Sequence, residues 1–81
     1  MTLWTLHAAY DDDAHVWYTI DCDCPGLITE GDSLERLRER AAAVLPELIE
    51  LNAEHIAPER RVGPHSLRLV AFHESILPVA A

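Results

Sequence analysis

The chain has 81 residues, enough for one small domain, and at this size folding buries only about 60 to 65% of the surface that an unfolded chain exposes. Hydrophobic residues make up 49% of the sequence and charged residues 25%, the composition of a folded globular domain and not of a disordered tail. Fourteen acidic residues against six basic ones give a formal charge of -8, which disfavours binding to nucleic acid and favours a basic protein partner.

Neither a membrane span nor a secretion signal is visible in the sequence. The longest apolar stretches fall well short of the roughly 18 residues that cross a bilayer, and the amino terminus lacks the basic and apolar regions of a signal peptide. Cys22 and Cys24 are separated by one residue, a spacing at which a disulfide is strained, so both are expected to be reduced thiols. We therefore expect a cytoplasmic protein.

Two strands are predicted at the amino end of the chain. Residues 2–10 (TLWTLHAAY) follow a two-residue alternation, and residues 15–22 return to β-branched and aromatic side chains after an aspartate-rich break. We pair these strands as a hairpin with Tyr10 opposite Val16. One face of the hairpin then carries Trp4, Leu6, Ala8, Tyr10, Val16, Tyr18 and Ile20. The other face carries Thr5, His7, Trp17, Thr19 and Asp21.

A turn, a short strand and a capped helix are predicted next. Pro25 and Gly26 indicate the turn, and residues 27–30 form a third strand that completes an antiparallel meander. Asp32 is expected to cap the helix, with Glu35 three residues later as in a capping box. The apolar residues that follow at helical spacing are Leu34, Leu37, Ala41, Val44, Leu45 and Leu48.

The remaining elements complete a small mixed fold. Pro46 removes a backbone donor, so we expect it to kink the helix or to begin a short second helix that runs to about Asn52. Residues 53–65 read as a loop, and residues 66–74 as a fourth strand. The predicted fold class is α+β with the order βββαβ: a three-stranded antiparallel meander, a fourth strand, and one main helix packed on one sheet face. Residues 1–81 form a single domain.

The sequence does not favour a metal or cofactor site. A zinc site could be composed from the two cysteines with histidines on other strands, but structural zinc requires about four ligands, usually in paired knuckles. The spacing found here lacks such a pair, so we expect neither a metal nor a cofactor. The residues weighed for this site are Cys22, Cys24, His7, His15 and His73.

Catalytic readings are not favoured either. Carboxylates that hold two metal ions must converge from several elements, whereas the aspartates at positions 11–13 fall in a hairpin loop. The serines at positions 33, 66 and 75 lack the glycine-flanked elbow of a nucleophile. We expect no enzyme, and the residual alternative is a metal-dependent nuclease that uses Asp21, Asp23 and Glu30.

The sheet face that the helix leaves uncovered is a possible interface. In the predicted register this face presents Trp17, with His7 and Thr19 beside it. A tryptophan of this kind is a common anchor of protein interfaces, although a place in the core is the alternative.

The segment DCDCPGLITEGDSLERL, residues 21–37, resembles the HicB-like antitoxin superfamily. The resemblance is carried by Asp-x-Pro-Gly at positions 23–26, by Leu27, by Thr-Glu-Gly at positions 29–31, and by DSLERL at the start of the helix. It is strongest to a short branch of unknown function whose helix ends in PELIELN, as at positions 46–52. The motif residues, which we interpret as a structural turn and helix cap, are Asp23, Pro25, Gly26, Thr29, Glu30 and Asp32.

The resemblance implies a partial ribonuclease H-like fold that has lost the nuclease carboxylates. Similar proteins neutralise a small basic RNA-cleaving toxin of the HicA type by covering it, and they commonly self-associate. Many also carry a carboxy-terminal DNA-binding segment, but only SILPVAA follows Glu74, so DNA binding is not expected. The alternative is a stand-alone homodimeric scaffold or small-ligand regulator without a toxin partner.

Overall fold

The computed structural model describes residues 1–74 and 77–80 and has the predicted α+β class and βββαβ order. Its elements are β1 (Thr2–Asp11), β2 (Val16–Cys22), β3 (Glu30–Gly31), α1 (Leu34–Leu51) and β4 (His65–Phe72), with short 3-10 helices at Ala53–His55 and Pro58–Arg60. The four strands form one sheet in the order β3-β2-β1-β4. β1 is antiparallel to β2 and parallel to β4, so the helix connects the two outer strands of the sheet.

The pairing of β1 with β2 differs from the predicted register by one residue. Tyr10 lies opposite Trp17 instead of Val16, and the register shifts again at a bulge between His7 and Ala8. The hairpin loop explains the difference, because the carboxylate of Asp11 accepts hydrogen bonds from the backbone N–H groups of residues 13 and 14, at 3.0 and 3.2 Å. Asp11 therefore pairs with Val16 and closes the hairpin.

This slip exchanges the two faces of β2, since neighbouring strand residues point to opposite sides of a sheet. Trp17 and Thr19 lie on the helix side with Trp4, Leu6 and Ala8, whereas Tyr18 and Ile20 lie on the opposite side. The prediction that Val16, Tyr18 and Ile20 share a face with Trp4 was therefore wrong.

The core lies between the sheet and one stripe of α1. The buried residues of the helix recur at four-residue spacing, so they form one line along its axis. They pack against β1 and against the turn that follows β2. The buried core comprises Trp4, Leu6, Ala8, Cys24, Leu27, Leu37, Ala41, Leu45, Ile49 and Ile56.

The helix begins one residue later than predicted. Ser33 is its N-cap, and the Ser33 hydroxyl accepts a hydrogen bond from the backbone N–H of Arg36 at 3.1 Å. The prediction that Asp32 caps the helix was wrong, and Glu35 is too close to the cap for a capping box.

Pro46 lies inside α1, and the second helix offered as an alternative does not form. Pro46 and Ala42, whose carbonyl lacks its usual donor, are both exposed, so water can hydrate that carbonyl. The helical residues beneath them stay packed on the sheet. Within residues 1–74 and 77–80, no helix is long and apolar enough to cross a membrane.

The third strand is shorter and later than predicted, because Leu27 leaves the strand path. Its backbone N–H donates to the carbonyl of Cys24 across the turn at 3.3 Å, and its side chain is buried in the core. Thr29 is held by Thr19, whose hydroxyl and N–H both donate to the Thr29 carbonyl at 3.1 Å. Regular pairing with β2 therefore begins only at Glu30.

Candidate protein-binding face

The side of the sheet opposite α1 is uncovered, and we call it the open face. Several of its large apolar side chains are well exposed: Tyr18 at 41%, Ile20 at 51% and Phe72 at 57%. Strand pairing places the residues of β1 and β4 on this face side by side. The open face consists of Leu3, Thr5, His7, Ala9, Tyr18, Ile20, Asp21, Arg68, Val70 and Phe72.

A hydrogen-bonded polar pair lies among these apolar side chains. The His7 Nδ1 and the Asp21 Oδ1 are 2.7 Å apart, and the imidazole also stacks on the ring of Phe72, with centroids 6.3 Å apart and planes inclined by 21°. The bulge in β2 makes this pairing possible, because it puts Ile20 and Asp21 one after the other on the exposed side. The open face thus combines an apolar surface with one fixed polar group.

Of the three predicted interface residues, only His7 lies on the open face. Trp17 packs against the core on the helix side, with its ring 5.2 Å from that of Tyr10 and 5.7 Å from that of His73. Thr19 is engaged with Thr29 on the same side. The prediction that Trp17 and Thr19 lie on the uncovered face was wrong. It depended on the predicted pairing of Tyr10 with Val16, whereas the hairpin pairs Tyr10 with Trp17.

Tyr18, Ile20 and Phe72 are the open-face residues that the sequence reasoning missed. The signal for the first two was Asp11, since an aspartate whose carboxylate accepts from the N–H groups two and three residues later fixes a tight loop, here residues 12–15. Alternation along β4 predicts only that Phe72 shares a strand face with Arg68 and Val70. The parallel pairing of β4 with β1 is needed to place Phe72 beside Ala9 on the open face.

Asp23, the first residue of the motif at positions 23–32, holds the end of β2 to β1. Its Oδ1 accepts the backbone N–H of Thr5 at 2.8 Å, and its Oδ2 accepts Arg60 Nη2 at 3.1 Å. The same guanidinium donates to the carbonyl of Leu3 at 2.7 Å and lies 4.1 Å from the ring centre of Trp4. Asp23 is thus bound on both oxygens in a structural network that joins separate segments of the chain.

The turn at Pro25 and Gly26 is closed by the end of the helix. Asn52 donates from its side chain to the carbonyl of Pro25 at 3.3 Å and to that of Leu48 at 2.9 Å. Gly26 has a φ of 80°, a left-handed conformation that favours glycine. The turn therefore depends on its own backbone geometry and on α1.

The strand end after Glu30 lies directly against the first turn of α1. A Cβ on Gly31 would lie 2.7 Å from the backbone nitrogen of Leu37, closer than a side chain can approach. Arg40 reaches back from the helix and donates to the carbonyl of Glu30 at 2.8 Å. Asp32, the last motif residue, is exposed and is followed by the true cap, Ser33.

The remaining candidate groups are the two thiols and the serines. Both cysteines are free thiols, and burial raises the pKa of Cys22 above its usual value and that of Cys24 to about 11. In the described ranges 1–74 and 77–80, no three His, Cys, Asp or Glu side chains are grouped so as to hold a metal ion. Ser33 caps the helix and Ser66 contacts the sulfur of Met1, whereas Ser75 lies outside the described residues.

A shallow groove runs between α1 and β4 on the helix side of the sheet. Its volume is about 550 Å³, and it is lined by Leu34, Glu35, Arg38, Leu67 and Leu69. Its existence shows that α1 leaves part of β4 uncovered.

Comparisons with known proteins agree with this architecture and carry no assigned activity. The family model described as "Domain of unknown function (DUF1902)" matches residues 3–77. The crystal structure of the hypothetical protein TTHA1013 from the extremely thermophilic bacterium Thermus thermophilus is similar, with a TM-score of 0.72 and 33% sequence identity. That similarity covers 93% of this chain and 99% of TTHA1013. No curated protein matches the chain.

Proposed function

This chain belongs to the DUF1902 family, and we propose that it is a non-enzymatic, HicB-like binding module that neutralises a small basic RNA-cleaving toxin by covering it. The observation that carries the proposal is the open face, an uncovered apolar surface on a strongly acidic protein. The motif at positions 23–31, which resembles that of HicB-like proteins, is an independent support.

The open face has the character of a protein-binding surface. Contiguous exposed apolar side chains are uncommon on small monomeric domains, and they mark contact sites when polar groups surround them. Ile20 and Phe72 supply apolar area here, and the His7–Asp21 pair supplies a fixed polar contact. Complementary shape and apolar burial at this face would provide the affinity of the complex.

The net charge of the protein favours a basic partner. At a formal charge of -8, the chain attracts cationic proteins over several ångströms and speeds their association. A toxin that cleaves RNA is basic because it must bind a polyanion, and an acidic cover competes with that substrate. This proposal places the protein in the cytoplasm, where such a toxin acts, and requires neither a cofactor nor DNA binding.

The engaged carboxylates support a binding role over catalysis. Asp23 is bound by Thr5 and Arg60, and Asp21 is bound by His7 on the open face. A two-metal nuclease needs carboxylates that are free to hold cations about 3.5 to 4 Å apart. The nuclease reading therefore requires Asp23 to abandon the network that holds β2 to β1.

The proposal is tested by co-expressing the protein with the small basic proteins encoded beside its gene. Light scattering on the purified product should give the mass of a heteromeric complex, and the complex should lack the RNA-cleaving activity of the partner alone. Failure of every such protein to co-purify, together with undiminished RNA cleavage, would remove the antitoxin role and leave a stand-alone protein.

A matched pair of variants locates the binding surface. Ile20→Glu places a charge on the open face, whereas Leu51→Glu places the same charge on an exposed leucine of the helix, 70% accessible. We expect I20E to abolish the complex and L51E to retain it. A complex that survives I20E would mean that the partner binds elsewhere.

A further inference from the structure

The outer edge of β4 is a long unprotected strand edge. β4 contributes eight residues, His65–Phe72, and within the described residues no other strand pairs with its outer side. The strand contains no proline, and its pairing with β1 is continuous from Thr2 to Ala9. Natural sheets block such edges with prolines, bulges or covering segments, because a free edge pairs with any compatible strand.

Apolar side chains flank this edge on both sides of the sheet. Val70 and Phe72 lie on the open face, while Leu67 and Leu69 line the groove beside α1. A strand added at the edge would therefore gain backbone hydrogen bonds and apolar contacts on two faces at once. We propose that the outer edge of β4 pairs with β4 of a second copy of this chain, antiparallel and around a two-fold axis at Ala71.

Charge complementarity selects both the partner and the register. Residues 65–74 contain one arginine, Arg68, and one acidic residue, Glu74, and both are exposed. Two identical antiparallel strands centred on Ala71 place Arg68 of each copy opposite Glu74 of the other. The pair forms twice, and pairing extends the strand through His73 and Glu74.

The same register matches the neighbouring side chains. Val70 of each copy lies opposite Phe72 of the other on the open face, and Leu69 lies opposite His73 on the helix side. A shift of the axis by one residue in either direction separates Arg68 from Glu74. The pairing also joins the two sheets into one of eight strands, which gives a chain of this small size a larger buried surface.

The test uses the purified protein alone, so it is independent of any toxin. Sedimentation equilibrium on the wild-type chain should show a dimer. Arg68→Glu and Glu74→Arg each place like charges opposite one another at both ends of the pair, and each should weaken dimerisation roughly ten- to a hundredfold. The double variant R68E/E74R restores opposite charges and should dimerise as the wild type does.

Mixing the two single variants gives the sharpest readout. Each alone is expected to be monomeric at a concentration where an equimolar mixture forms a heterodimer, because R68E supplies only acids and E74R only arginines at the two positions. Arg36→Glu, which makes the same charge change on an exposed helix residue outside the groove, is the control and should leave dimerisation unchanged. Circular dichroism confirms that each variant is folded.

Two results would overturn the proposal. The first is a wild-type chain that stays monomeric up to about 1 mM, the weak end of specific association, because the edge of β4 then does not pair with a second copy. A dimer whose dissociation constant is the same in R68E, E74R and the wild type pairs through some other surface. Recovery in the mixture and in the double variant is the result that supports it.

Discussion

The two edges of the sheet are finished in opposite ways. At one edge, β3 has two residues, its strand end presses against α1, and Arg40 and Thr19 bond to the adjacent backbone. At the other, β4 has eight residues and, in the part of the chain that the structure describes, a free outer side. The difference teaches that contacts of the segment 29–31 with β2 and α1 close one edge within the chain, while the other edge keeps its outer backbone groups unpaired among the described residues.

The largest expected effect comes from crowding the closed edge. Gly31→Ala puts a methyl group 2.7 Å from the Leu37 backbone nitrogen, so the strand end and the helix must separate. We expect the free energy of unfolding to fall by about 3 kcal/mol in urea titrations. Gly26→Ala is the comparison: its new methyl group makes ordinary contacts with the side chains of Leu48 at 3.4 Å and Asn52 at 3.7 Å, and its φ of 80° costs about 1 to 2 kcal/mol. Equal losses would mean that the helix does not press on β3.

The buried thiol of Cys24, in the turn that leads from β2 towards the closed edge, makes stability depend on pH. Burial raises its pKa to about 11, from 9.0 for an exposed thiol. The unfolded chain therefore loses this proton first, so stability is unaffected below about pH 8 and falls as the pH rises from 9 to 11. The loss is at most on the order of 3 kcal/mol, because one pKa unit corresponds to about 1.4 kcal/mol. Urea titrations across this range should give a flatter profile for Cys24→Ala, and parallel profiles would contradict the assignment.

Removing the Asp23 carboxylate should loosen the middle of the sheet, where the end of β2 meets β1. Asp23→Ala leaves the Thr5 N–H without its acceptor and removes one of the two acceptors of the Arg60 guanidinium, and we expect a loss of about 2 kcal/mol in the free energy of unfolding. Asp21→Ala is the control, since that carboxylate is 68% exposed and its hydrogen-bond partner is the imidazole of His7 on the surface. Its expected loss is within about 0.5 kcal/mol. If Asp21→Ala lowers the free energy of unfolding more than Asp23→Ala does, the structural role belongs to Asp21.

The helix cap beside the closed edge distinguishes two adjacent residues. Ser33→Ala removes the acceptor of the Arg36 N–H and should lower the thermal midpoint by an amount equivalent to about 1 kcal/mol. Asp32→Ala should change it by less than half as much. If D32A proves the more damaging substitution, the helix begins one residue earlier in solution.

The smallest effect is expected at the free edge. Phe72 is 57% exposed, so Phe72→Thr, which introduces a β-branched side chain suited to a strand, should change the unfolding free energy by about 0.5 kcal/mol or less. The measurement belongs in the R68E background, where dimerisation does not add to stability. A larger loss would show that Phe72 supports the fold of the single chain and that the edge is less independent than the comparison implies.

The order of elements was predictable because periodicity and turn residues act over short distances. Alternation over residues 2–10 and helical spacing from Leu34 onward reported β1 and α1 directly. Features that depend on individual hydrogen bonds, or on the burial of one side chain, were not visible in that periodicity. The Asp11 turn shifted the register, the burial of Leu27 shortened β3, and Ser33 replaced Asp32 as the cap.

The same limits decided what could be said of the open face. His7 was placed correctly because its own strand alternates without interruption up to the bulge. Trp17 and Thr19 were misplaced because one residue of slip reverses a whole strand. Phe72 could be brought beside Ala9 only through a long-range parallel pairing, which no local pattern encodes.

The parallel pairing of β1 with β4 also governs when the protein can fold during its synthesis. Thr2 pairs with His65, and the indole of Trp4 donates to His65 and lies under Arg60, so the first strand finds these partners only after some sixty further residues have been translated. Contacts so distant in sequence form late and slow folding. While β4 is still inside the ribosomal exit tunnel, one edge of β1 has no strand to pair with. The sheet, and with it the open face, is therefore completed only after β4 has emerged from the ribosome, so binding through that face cannot precede the synthesis of β4.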